Sequence, residues 1–85
     1  PVKKESVADR VRRLQAEAKA LARQQVDELA ESMRAAAEIA HEVAEGGDAY
    51  PPGARDLARR LADDLLQRAQ TLEAILAKAG AAQST

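Results

Sequence analysis

Cysteine, phenylalanine and tryptophan are absent from this 85-residue chain, and Tyr50 is its only aromatic residue. The missing cysteines exclude disulfides and thiolate metal sites, so nothing in the composition indicates an oxidising compartment. The missing aromatics remove the side chains that dominate most cores and that stack on nucleic-acid bases. No apolar run approaches the roughly 18 residues of a membrane span. The opening Pro-Val-Lys-Lys-Glu-Ser has no signal-peptide h-region, so a cytoplasmic protein is expected. A net charge of −1 argues against a generic nucleic-acid binder.

Proline and glycine are scarce and confined. Apart from Pro1 and Gly80, all of them fall between Gly46 and Gly53. The rest is dominated by Ala, Leu, Arg, Glu, Gln and Lys, the strongest helix formers, which predicts an all-α fold. The hydrophobic fraction of 46% is mostly Ala, so large apolar side chains are few. A single core in a chain this short barely supports a fold.

Ser6 can cap a helix beginning at Val7, with Asp9 in the place usually taken by Glu or Gln in a capping box. Nothing interrupts the helical pattern before Gly46, so the first helix is expected over about 7–45. Its apolar stripe reads Val7, Val11, Leu14, Ala18, Ala22, Val26, Leu29, Met33, Ala36, Ala40 and Val43, with Leu21 and Ile39 flanking. Three consecutive steps of four between Leu14 and Val26 relax a left-handed supercoil, which favours a bundle over a strict two-stranded coiled coil. Gly46 to Pro52 is the turn, with glycine suited to the helix C-terminus and proline to the next helix start.

A second helix is expected over about 52–79, followed by a frayed tail at 80–85. Its stripe is Ala58, Ala62, Leu65, Ala69, Leu72, Leu76 and Ala79, broadened by Leu57, Leu61, Leu66 and Ile75. Folding the chain about residues 49 and 50 sets residue i opposite about 99 − i. The longer first helix then overhangs at 7–19.

Charge on the first helix is polarised. Residues 1–23 carry seven basic and three acidic side chains, whereas residues 24–50 carry one basic and seven acidic. This order opposes the helix dipole, so compensation from outside the helix is expected. A second copy lying antiparallel about Val26 supplies it, with residue i facing about 52 − i. The expected architecture is therefore a two-helix antiparallel hairpin dimerising into a four-helix bundle. Val7, Val11, Leu14, Leu21, Val26, Leu29 and Met33 form the expected interface. Arg12, Arg13, Lys19 and Arg23 are expected to pair with Glu28, Glu31, Glu38 and Glu42.

Signals for chemistry are thin. Glu38-Ile39-Ala40-His41 fits the Glu-x-x-His spacing of di-iron bundles, but it occurs once and points away from the stripe, so no metal or other cofactor is expected. His41-Glu42 resembles the His-Glu pair of histidine-kinase dimerisation domains, which are hairpins that dimerise into four-helix bundles. That resemblance covers two residues and the architecture, and implies a phosphotransfer role for His41; the following Arg-Thr-Pro of that family is replaced by Val43-Ala44-Glu45.

Tyr50 reads as a plug on the bundle end or as an anchor for a partner. With no nucleophile–base pair or phosphate-cradling loop, the expectation is a non-enzymatic interaction module acting as a small dimeric adaptor or regulator. The alternatives are a nucleic-acid-binding regulator using the basic flank of Lys3, Lys4, Arg10, Arg12, Arg13, Lys19 and Arg23, and a phosphotransfer protein using His41.

Overall fold

A computed structural model describes the backbone of residues 4–83 and the side chains of residues 4–80. The described chain is a rod of 73 × 23 × 15 Å made of two helices, α1 (Val7–Ala44) and α2 (Pro52–Gln83), joined by a 3-10 turn at Gly47–Ala49. No strand occurs among the described residues, and no helix there is long and apolar enough to cross a membrane.

The ends of α1 follow local chemistry. The Asp9 backbone N–H donates to Ser6 Oγ at 3.0 Å, which satisfies one of the amide donors left unpaired at a helix start. The Asp9 carboxyl is held below its ordinary pKa, first by its hydrogen bond with the Ser6 side chain and then by Arg12. At the other end Glu45 N–H donates to the His41 carbonyl at 3.0 Å and Gly46 N–H to the Val43 carbonyl at 3.2 Å. Gly47 turns the chain at φ +73°, a left-handed conformation that favours glycine. Pro52 occupies the first position of α2, where its missing N–H costs nothing.

Tyr50 lies across Gly46. It is partly exposed, with its ring packed over the glycine so closely that a β-carbon at Gly46 would overlap Tyr50 Cε2 and Cδ2. The ring thus covers the turn end of the hairpin. Gly46→Ala is expected to displace the ring and cost about 1–3 kcal/mol, read as a lower thermal midpoint by circular dichroism.

The helices pack antiparallel along a seam of alanine. Every buried residue among those described is Ala: Ala30, Ala37, Ala40 and Ala44 on α1, and Ala58, Ala62 and Ala69 on α2. Ala40, Ala44, Ala58 and Ala62 form one cluster at the turn end, with Val43 against it. Residue i of α1 therefore opposes about 102 − i. Further along, the same register faces Ala37 with Leu65, Met33 with Ala69 and Ala30 with Leu72, each a large side chain against an alanine, and Val26 with Leu76 nearer the open end. Such a seam draws the axes toward the lower end of the usual range of about 8–10 Å.

Three sequence expectations change. The register shifts by three residues from 99 − i: α2 starts at Pro52 as expected, but the cluster of Ala40, Ala44, Ala58 and Ala62 centres the hairpin on residue 51. The helix end expected near 79 lies further on, since α2 continues through Gly80 to Gln83; residues 84 and 85 of the expected frayed tail lie outside the described residues. On α1 the face toward α2 runs Val26, Ala30, Met33, Ala37, Ala40 and Ala44, in strict steps of four and three. The expected stripe used Leu29 and Ala36 in place of Ala30 and Ala37. On α2 the expected stripe is the observed seam from Ala58 to Leu76.

Among the described residues one ion pair crosses between the helices. Arg34 Nε and Nη2 donate to the two Glu73 carboxylate oxygens at 3.0 and 2.5 Å. The fork geometry matches two parallel donors to two acceptors. The hydrogen bonds from Arg34 hold the Glu73 carboxyl below its ordinary pKa and raise that of Arg34. Because the folded value of Glu73 lies below the unfolded value of about 4.3, its stabilisation is present above that pH and is lost as the pH falls through the folded value. The stability difference between the parent chain and Glu73→Gln should therefore vanish in acid. Paired thermal melts from neutral pH to pH 2 measure it, and a pH-independent difference would contradict the assignment.

Candidate interaction surface

Because α1 is longer than α2, its first turns have no neighbour in the hairpin. With the register of about 102 − i, the end of α2 at Gln83 reaches the level of residue 19. Val7, Val11 and Leu14 lie beyond that level and are exposed. Leu21 and Leu29 are exposed as well, on faces of α1 turned away from the seam. Val26 and Met33 are half-buried, and the structure places both in the seam facing α2, where Val26 shares a groove with Leu76.

The two flanks of the hairpin differ in character. One carries the Arg34–Glu73 pair. The other is defined by a groove in which Leu29 and Met33 of α1 meet Asp64, Arg68, Thr71 and Leu72 of α2. Ile75 follows Thr71 by four residues and Arg68 by seven, which puts it on this second flank. Leu29 and Ile75 are 54% and 57% exposed. Leu61, seven residues before Arg68, continues the same line toward the turn, and Ile39 stands beside Val43 on the α1 side. Both are exposed. Leu29, Ile39, Leu61 and Ile75 thus gather exposed apolar surface on one flank of the rod.

The expected charge partners are only partly engaged within the protomer. Arg12 pairs with Asp9, and Arg13 pairs with Glu5 and Glu17, which raises the Arg13 pKa, with Glu5 the larger cause. Lys19 and Arg23, and the acidic Glu28, Glu31, Glu38 and Glu42, form no ion pair among the described residues. Lys4 and Arg10 are exposed, and Lys3 lies outside the described residues.

A groove at the open end collects Arg12, Lys19 and Arg23 around an apolar floor of Val26, Leu76 and Ala79. No acidic side chain lines it. Arg23 leans over Gly80, where an added β-carbon would stand 2.7 Å from Arg23 Nη1.

Glu38 and His41 are exposed near the end of α1. No group of three or more His, Asp or Glu side chains converges into a cation site among the described residues.

Sequence reasoning missed the Arg34–Glu73 pair and the apolar flank. Both follow from the seam: once Ala30, Ala37 and Ala44 are assigned to it, Arg34 falls on one side and Leu29 on the other. The strict three-and-four spacing of the small residues was the available signal, hidden because Leu29 outweighs Ala30 on any hydrophobicity scale. No protein-family model matches the chain, and no curated protein or solved structure matches it either, so the geometry carries the functional reading.

Proposed function

We propose that this chain is a non-catalytic helical protein-interaction module, a small adaptor or regulator that works as an antiparallel homodimer in a four-helix bundle. The observation that carries this reading is the mismatch between what the hairpin buries and what it leaves out. Its buried residues are all alanines, while Val7, Val11, Leu14, Leu21, Leu29, Ile39, Leu57, Leu61, Leu66 and Ile75 stand exposed. Alanine methyls contribute about 0.8 kcal/mol per buried carbon, whereas a buried Leu or Ile contributes about 1.5–3 kcal/mol. Most of the available hydrophobic stabilisation thus lies outside the protomer.

Polarised charge supports an antiparallel arrangement. Lys19 and Arg23, without an ion pair among the described residues, sit in the first half of α1, and the unpaired Glu28, Glu31, Glu38 and Glu42 follow in its second half, so reversal sets one against the other. Exposed pairs of this kind contribute little affinity, about 0–1 kcal/mol each, and serve to select orientation. Sedimentation equilibrium at micromolar concentration should return twice the 9.1 kDa protomer mass. A stable monomer would refute the reading.

The cationic groove supports a second reading, a regulator that binds nucleic acid through Arg12, Lys19 and Arg23. Titration with single-stranded and duplex oligonucleotides at two salt concentrations tests it, because phosphate contacts weaken steeply with salt. Binding absent at low salt removes it.

A further inference from the structure

The seam with α2 consumes one face of α1 and thereby decides which face is left for a second copy. Adjacent to it runs a second series, Val11, Ala18, Ala22, Leu29, Ala36 and Val43, in steps of seven with a single step of four. Reversed about residue 27, this series nearly maps onto itself: Val11 meets Val43 and Ala18 meets Ala36. Small residues dominate its middle, which permits close approach of two α1 helices.

The level of residue 27 on α1 corresponds, through the register of about 102 − i, to residue 75 on α2. Ile75 is exposed there and lies on the same flank as Leu29. We infer that this flank is where two copies of the chain meet, on a twofold axis passing between the paired Ile75 side chains and close to Leu29, with α2 of each copy seated against the basic overhang of the other. The inference rests on the proposed self-association and specifies its geometry.

Three separate features are accounted for at once. Ile75 and Leu29 bury against their own copies at the axis, as an isologous contact requires. The overhang of α1, bare within the protomer, receives the turn end of the other α2, where Leu57 and Leu61 lie exposed on the matching flank. Charge bears on it as well: Asp64 of the partner subunit, which within its own helix pairs with Arg68 at 3.0 Å, arrives near the level of residue 16, between Arg12 and Lys19 of a groove lined by cations and by no acidic side chain. The flank carrying Arg34–Glu73 faces away from the axis, with Leu66 its one exposed large apolar residue.

Since the chain has no cysteine, a single introduced thiol reports its own neighbourhood. Ile75→Cys, Leu66→Cys and Ile39→Cys each alter an exposed position, and each full-length variant would be checked for parental helicity before treatment with a short bifunctional maleimide. Ile75→Cys should crosslink to a covalent dimer in high yield. Leu66→Cys should not, because it lies on the other flank, and neither should Ile39→Cys, whose two copies stand about 36 Å apart along antiparallel helices at 1.5 Å per residue. A charge exchange adds a second readout: Lys19→Glu should weaken dimerisation by about threefold to tenfold at low salt, and adding Asp64→Lys should restore it.

Crosslinking through Leu66→Cys or Ile39→Cys, or failure through Ile75→Cys in a chain that sediments as a dimer, would overturn the geometry while leaving self-association intact. A parent chain that sediments as a monomer would overturn both.

Discussion

Ala69→Leu is expected to destabilise the hairpin by about 1–3 kcal/mol, lowering the thermal midpoint by about 5–20 °C for a domain of this size. Ala69 is fully buried, at 0% exposure, and faces Met33 across the seam. A leucine there has no void to occupy. The helix axes must separate, and separation strips contact from the neighbouring pairs Ala30–Leu72 and Ala37–Leu65. Ala74→Leu is the control, because Ala74 is exposed on the same helix and the substitution should change stability by no more than about 0.5 kcal/mol. Thermal melts by circular dichroism compare the two. Equal midpoints would show that the seam is not close-packed, and the alanine argument would fail with it.

The second large effect concerns association. Leu29→Asp combined with Ile75→Asp should convert the protein to monomer at concentrations where the parent is dimeric. Each side chain contributes about 1.5–3 kcal/mol when buried, and twofold symmetry counts every substitution twice. Even one such loss per protomer weakens dissociation constants by more than about 100-fold. Both positions are more than half exposed in the hairpin, so the helices themselves have little packing to lose. Sedimentation velocity measures the shift. A dimer that survives the double substitution would place the contact elsewhere.

The same logic explains why an exposed Leu carries more meaning here than a buried one. Single exposed apolar residues are ordinary on protein surfaces. In this chain they alternate with small residues along one flank, while the opposite flank is closed by the Arg34–Glu73 fork. The proposed association face rests on that asymmetry.

Much of the fold was legible because its signals are local. Ser6 as cap, the Gly46–Pro52 turn and the uninterrupted run of helix formers each act within a few residues, and the structure bears them out at Val7, Gly47 and Pro52. The α2 stripe was legible too, since Leu65, Leu72 and Leu76 share one face with Ala58, Ala62 and Ala69. On α1 Leu29 misdirects: it outweighs Ala30 in hydrophobicity but stands outside the seam, and Ala36 and Ala37 cannot be told apart by residue type. The register slipped as well, because it is set by which alanines of the two helices meet, Ala40 and Ala44 with Ala62 and Ala58, and not by the turn residues alone.

By itself, then, the sequence determined that two helices form, where the chain reverses and that charge is polarised along the first helix, all consequences of backbone preference and residue order. Only the tertiary structure decided which face of α1 closes against α2. Hydrophobic burial would reward Leu29 in that seam as readily as Ala30, but antiparallel helices at short axial distance admit only small side chains at most facing positions. Close approach selects the alanines, and the larger side chains are left on the flank.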